Sequence, residues 1–210
     1  MVLHLPDTLP TLTTVTGRYV LSPFEARDVG PLARLLAHDE VWSQGYGDGG
    51  PRPTTREETV RHIHRRYDGL PVFAIRRVGL RGGTLFAGTT GITGASAHRD
   101  RVRVGRTVIH PALWGTGANH EVKIAVFDWL FAAGAGGIEC DVDPRNVRSL
   151  KSLAALGFVV DGFRRTPAPH ADRPWRDMAV LGLSRAEWPR FRERAVRGLH
   201  DLPTAQGAPA

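Results

Sequence analysis

The segment WGTGAN, residues 114–119, sets Gly115 and Gly117 between a strand-like run ending at His110-Pro111 and a helical stripe of Val122, Val126, Trp129 and Ala133. Small residues at a strand-to-helix turn let the backbone N–H groups from Gly115 to Ala118 converge. The helix N-terminus adds partial positive charge, and together these make an anion cradle suited to a pyrophosphate. A tight turn that needs glycine only for its backbone angles has the same sequence. Unlike a Walker loop, the segment carries no lysine and no metal-binding hydroxyl in register. About thirty residues further on, NVRSLKSLAALGF places Asn146 as a helix cap and Ser149 in the first turn of that helix. Between the two motifs, Glu139, Asp141 and Asp143 fall on one face of a strand by its period of two. A solvated or salt-bridged acidic face is the plain reading of that trio.

Other patterns lead nowhere. Gly45, Gly47 and Gly50 match G-x-G-x-x-G by spacing, but they follow no strand and open no helix, so a mobile loop is expected there. HEVKI begins like H-E-x-x-H, yet Ile124 occupies the second histidine position and no zinc site results. The nine histidines show no ligand spacing, and no metal is expected. Cys140 alternates with Glu139 and Asp141, beside Ile138 and Val142, as a packed core thiol does. It is the one cysteine, so internal disulfides are excluded.

These motifs need elements to hold them. The 210 residues are 41% hydrophobic and 23% charged, an ordinary globular composition for one domain or two small ones. No apolar run approaches the roughly 18 residues of a membrane span. The N-terminal MVLHLPDTLP lacks a basic region, so no secretory signal is read and a cytoplasmic location is expected. The net charge of +7 comes from arginine, since only Lys123 and Lys151 among 28 basic residues are lysine. Arginine-favouring codon usage explains this, and so does an anionic partner. The arginines alternate with acids and no aromatic-studded basic strand occurs, so nucleic acid is not an expected partner.

Residues 1–16 read as a loose arm, 17–200 as one α/β domain, and 201–210 as a frayed tail. Strands are predicted over 19–24, 72–76, 84–92 and 102–109, the last three as an antiparallel meander. Asp28 is a plausible N-cap for a helix carrying Leu32, Leu35 and Leu36, and Thr54 with Glu57 forms a capping box for a helix to about Asp68. A helix over 118–133, a strand over 138–143 and a short helix over 149–156 follow, with Gly157 as a left-handed cap. Strands over 158–163 and 178–183 flank a loop over 164–176. Ser184 and Glu187 open a terminal helix packed by Trp188, Phe191 and Ala195.

The order GRYVLSPFEARD, WGTGANHEVK, DPRNVRSLKSLAALGF and LSRAEWP resembles the GNAT superfamily of acyl-CoA-dependent N-acetyltransferases, nearest its RimJ/RimL-like branch, over residues 17–199. The resemblance implies a mixed, mostly antiparallel sheet flanked by helices, with two central strands splayed to admit acetyl-CoA as cosubstrate. It implies a bulged fourth strand whose backbone binds the acyl carbonyl and pantetheine, mapped here to Val108, Ile109 and His110. The family pyrophosphate turn maps to Ala112, Trp114, Gly115, Thr116, Gly117 and Ala118; Ala112 replaces the usual Gln or Arg. Asn146 matches the residue near the pantetheine arm, and Ser149 the residue that protonates the departing thiolate.

Related sequences often carry Glu before the Gly of the fourth strand as a general base, where this chain has Arg103-Val104-Gly105. Substitute bases are Asp141 and Asp143. The expected reaction is acetyl transfer to a primary amine, either a protein N-terminus or a small molecule, by a monomer or a homodimer. If no carboxylate takes the place of that Glu, acceptors of low pKa are favoured. Two other readings stay open: a catalytically silent acyl-CoA-binding module, and a basic ribosome- or nucleic-acid-associated protein.

Overall fold

Branched and aromatic runs separated by glycine-bearing turns pair with their sequence neighbours, and helices cover both sides of the resulting sheet. The computed structural model describes residues 5–6, 8–43, 45–96, 100–170 and 173–200. In chain order the elements are Leu12–Thr13 (β1), Tyr19–Pro23 (β2), Ala26–Leu35 (α1), Asp39–Ser43 (α2), Arg56–Tyr67 (α3), Val72–Val78 (β3), Thr84–Ser96 (β4) and Arg101–Ile109 (β5). Then come Ala118–Ala132 (α4), Gly137–Val142 (β6), Val147–Ala155 (α5), Val159–His170 (β7), Arg173–Ser184 (β8) and Trp188–His200 (α6). Short 3-10 turns lie at Tyr46–Gly49 and Pro111–Leu113. The strand order is β1-β2-β3-β4-β5-β6-β8-β7. Every pairing is antiparallel except β5 with β6. The expected mixed, mostly antiparallel sheet is therefore present. Among the described residues no helix is long and apolar enough to cross a membrane.

Successive residues of one strand serve different sides. Val72 and Val108 pack with Leu32, Leu35, Leu36, Ile63 and Tyr67 of the α1–α3 layer. Their neighbours Phe73 and Ile109 join Val122, Phe127 and Leu130 of α4, with Trp188 of α6. Alternation along a strand thus builds two cores, one per face. α4 is apolar nearly all round because the sheet, α6 and the N-terminal segment enclose it.

Four local readings change. Asp28 is not the cap of α1: it occupies the third helical position and accepts from the Glu25 N–H at 3.0 Å, so the cap is Glu25 and the helix begins three residues earlier. The α3 capping box is Thr55 with Glu58, one residue along, since TT followed by EE satisfies the motif in either register. Leu12–Thr13, expected within a loose arm, pairs with Val20 and Leu21. Thr14 and Arg18 then bind the buried Glu121 carboxylate of α4 at 3.0 and 2.7 Å. The predicted loop over 164–176 is instead the distal part of a β7–β8 hairpin, with Arg164 opposite Met178 and Thr166 opposite Arg176. β7 is an edge strand, where Pro167 forfeits no ladder bond on its open side. The expected tail, 201–210, lies outside the described residues.

Candidate active site

β5 and β6 pair only through Arg101–Gly137, Val102–Ile138 and Arg103–Glu139. Beyond that point β5 stays with β4 out to Ile109, while β6 stays with β8 out to Val142. The two strands part and open a cleft of about 730 Å³. That is within the roughly 300–1,000 Å³ of small-molecule sites.

The β5 wall is kinked. Residues 105–108 of β5 face only 89–91 of β4, so β5 carries one extra residue. Arg106 takes it up at φ 53°, a left-handed conformation rare outside glycine. The bulge is thus at Arg106 and Thr107, two residues before the predicted position. Val108 and Ile109 line the cleft. His110 is not among the residues that line it: its N–H is bound to Ala87 O at 2.9 Å, and its ring packs on His38 at 4.7 Å. Burial holds the His110 imidazole below its usual pKa.

At the end of β5 the chain turns through Gly115 (φ 78°) and Gly117 (φ 82°) into α4. Both glycines and Ala118 line the cleft, and a Cβ built on Gly115 would meet nothing within 4 Å. The first N–H groups of α4 lack intrahelical acceptors and lie at this end of the cleft. Thr116 lies outside the lining, with its hydroxyl donated to Leu113 O at 2.8 Å. Trp114 donates its indole N–H to Ile109 O at 2.8 Å, and the Arg148 guanidinium lies 3.7 Å from its ring centroid. That stack bridges the turn and α5.

On α5, Asn146 caps the helix by accepting from the Ser149 N–H at 3.0 Å, and both residues line the cleft. The capping role read from sequence is therefore real, and it leaves the Ser149 side chain on the cleft. The acids of β6 are bound to arginine. Arg164 donates to Asp141 Oδ2 at 2.6 Å and to Glu139 at 3.4 Å, and Arg103 lies 3.4 Å from Asp141. Asp141 lines the cleft, and its Oδ1 is buried with no hydrogen-bond partner among the described residues. Asp143 is not among the lining residues. Arg145 binds it through three N–H groups, and these bonds hold its carboxyl below the usual range.

Several cleft residues gave no sequence signal. Lys123, only 5% exposed, donates to Thr107 Oγ1 at 2.8 Å, and burial lowers its pKa. Being one of two lysines in an arginine-rich chain was the sole hint. Cys140 lines the cleft from β6, and burial pushes its thiol up to about 11, which disfavours the nucleophilic thiolate. Tyr46 lies in the glycine segment read as a mobile loop, which instead forms a 3-10 turn. A Cβ at Gly47 would come within 2.6 Å of the Trp42 ring, so glycine there permits close packing. Among the described residues no group of three or more His, Cys, Asp or Glu is gathered as a metal site.

Residues 18–159 match the family described as acetyltransferase (GNAT) domain. A crystal structure named "putative acetyltransferase" is 26% identical, with a TM-score of 0.74, covering 96% of this chain and 99% of its own. A second so named, from T. thermophilus, is 25% identical at a TM-score of 0.72, covering 91% and 98%. Mycobacterium smegmatis RimJ in complex with CoA-disulfide shares the fold at 22% identity and a TM-score of 0.66, covering 92% and 95%. No curated protein matches the sequence.

Proposed function

The chain belongs to the GNAT acetyltransferase family, and from that premise we propose that it moves the acetyl group of acetyl-CoA directly to a primary amine, with a free α-amine as the favoured acceptor. The observation that carries this reading is the parting of β5 and β6, which opens a cleft lined in part by the Gly115–Gly117 turn. The residues present suit the cosubstrate. Gly115 has open space beside it, the α4 N-terminus favours an anion, and Lys123, Arg148 and Arg194 add positive charge to the lining. In this reading the Gly115–Ala118 backbone holds the pyrophosphate, and Asn146 and the β5 edge from Val108 flank the pantetheine arm.

An ammonium has no lone pair, so the acceptor must first lose a proton. An α-amine, with a pKa of about 7.7–8.0, is partly free base at neutral pH. Asp141 Oδ1 is the one expected base atom on the cleft; Asp143 has its carboxylate committed to Arg145. The nitrogen then attacks the thioester carbon, and N–H groups of the bulged β5 stabilise the oxyanion. As the C–S bond breaks, the electron pair leaves on sulfur and the Ser149 hydroxyl supplies a proton.

The arginine clamps on Asp141 and Asp143 favour one second reading, a silent acyl-CoA-binding module. A thiol-release screen with acetyl- and succinyl-CoA against peptide N-termini, polyamines and aminoglycosides separates the two. Release with an amine is expected; tight coenzyme binding without release overturns transfer.

A further inference from the structure

We propose that a one-way chain of hydroxyl groups turns the Tyr46 oxygen into a hydrogen-bond acceptor for the attacking amine, making Tyr46 an amine-binding residue and Thr89 a positioning residue behind it. The inference rests on the reading of the cleft as the acyl-transfer site.

Thr89 on β4 is fully buried, and its Oγ1 lies 3.0 Å from the carbonyl oxygen of Arg106, the residue whose left-handed conformation makes the β5 bulge. A carbonyl has no proton to give, so Thr89 must donate there. With its single proton spent, Thr89 accepts from the Tyr67 hydroxyl at 3.1 Å. Tyr67, also buried, then accepts from the Tyr46 hydroxyl at 3.2 Å. The protons therefore all point one way, from Tyr46 through Tyr67 and Thr89 to Arg106. Tyr46 stands in the cleft wall, and what remains to it is lone pairs. Its ring is fixed edge-on to Trp42 at 5.2 Å and tilted on His62 at 5.9 Å.

Burial pushes the Tyr46 phenol well above its usual pKa, so it stays protonated and is not the base. Its use is directional. An amine attacks through its nitrogen lone pair, and its N–H bonds need acceptors elsewhere. As the N–C bond forms, the nitrogen becomes positive, and an oxygen accepting from its N–H is held more strongly in the transition state than before it. With Asp141 holding the proton taken from the ammonium, the proton that remains after attack leaves nitrogen for solvent, and the electron pair leaves with sulfur. Reversing the chain would present a donor to that nitrogen instead.

The test uses Thr89→Val, Thr89→Ser and Tyr46→Phe in the full chain, with acetyl-CoA and the best acceptor among peptide N-termini, polyamines and aminoglycosides. Thr89→Val removes the terminal donor, so Tyr67 turns its proton to Tyr46 and Tyr46 turns its own into the cleft. kcat/KM for the amine should fall about tenfold or more, on the scale of a hydrogen bond to a charged group. Acetyl-CoA affinity, measured by calorimetry, should not move. Thr89→Ser should restore the rate, and Tyr46→Phe should match Thr89→Val. A second readout needs no turnover. The protein has three tyrosines, and ring-ζ carbon-13 labelling reports how each hydroxyl is bonded. The signal that Tyr46→Phe removes should shift in Thr89→Val and return in Thr89→Ser. A signal unmoved by Thr89→Val overturns the chain. Unchanged kcat/KM in Tyr46→Phe overturns the amine-binding role while the cleft reading stands. Absence of thiol release by the unmodified protein overturns the cleft reading and the amine-binding role with it, and the labelled tyrosines still decide the chain.

Discussion

The two walls of the cleft start from strands paired side by side and end with opposite chemistry. On β5 the extra residue at Arg106 breaks the ladder with β4 and turns backbone groups out of register. Thr107, Lys123 and the glycine turn at its end add donors. On β6 the ladder with β8 runs unbroken, and the charged side chains are already engaged by Arg101, Arg103 and Arg164. A strand that gives up its own hydrogen bonds can make them to a substrate; a strand whose polar groups are mostly engaged holds shape. Under the proposed function this difference gives binding and proton delivery to β5, the α4 turn and α5, and leaves Asp141 Oδ1 as the β6 atom open to chemistry.

Ser149→Ala is the strongest test of that division. We expect kcat to fall about 100-fold, the scale of a lost general acid, with acetyl-CoA affinity unchanged. Steady-state kinetics with calorimetry on one protein checks both. A normal kcat would leave α5 a purely structural neighbour of the cleft.

Gly117→Val comes next. Valine is strained at φ 82° and obstructs the turn. Acetyl-CoA affinity should drop by about 2 kcal/mol or more, the scale of lost charge-assisted bonds, by calorimetric titration of the folded variant. Unaltered binding would move the anion site elsewhere.

The β6 wall is tested by the acceptor's own titration. Acceptors with an α-amine and a lysine-type amine differ in pKa by about 2.5 units. If Asp141 Oδ1 is the base, both acceptors share one rising limb of kcat/KM against pH, and Asp141→Asn removes it. A limb that shifts with the acceptor and survives Asp141→Asn would leave β6 as support alone.

Two smaller effects separate capping from chemistry. Asn146→Ala should cost about 1 kcal/mol of stability through the lost cap, read from the denaturation midpoint. Asp143→Asn should cost less, because Arg145 is exposed to solvent. Since the folded-state pKa of Asp143 is depressed, its contribution is present above the unfolded value of about 3.9 and disappears as pH falls through the lower folded value. The gap between parent and variant should therefore hold from pH 7 down to about pH 4 and narrow as the pH falls further, in denaturant titrations.

Elements whose signals are local were legible in the chain. The apolar stripe of α4, the β3–β5 meander, Gly157 at φ 93° and the Asn146 cap all follow from a few adjacent residues and their steric preferences. The glycine turn could be placed for the same reason. The β7–β8 hairpin could not be, because Pro167 argues against a strand unless that strand lies at a sheet edge, and edge position is a property of the assembled sheet. Nothing in residues 101–109 says that pairing with β6 ends at Arg103, since that depends on β4 and β8 competing for the two strands. The site of the bulge, the arginine clamps on Asp141 and the path from Tyr46 to Arg106 were decided the same way. Tyr46 and Tyr67 are 21 positions apart, Tyr67 and Thr89 are 22. A hydrogen bond has a direction only when both partners are fixed, and for groups so distant in sequence packing alone fixes them.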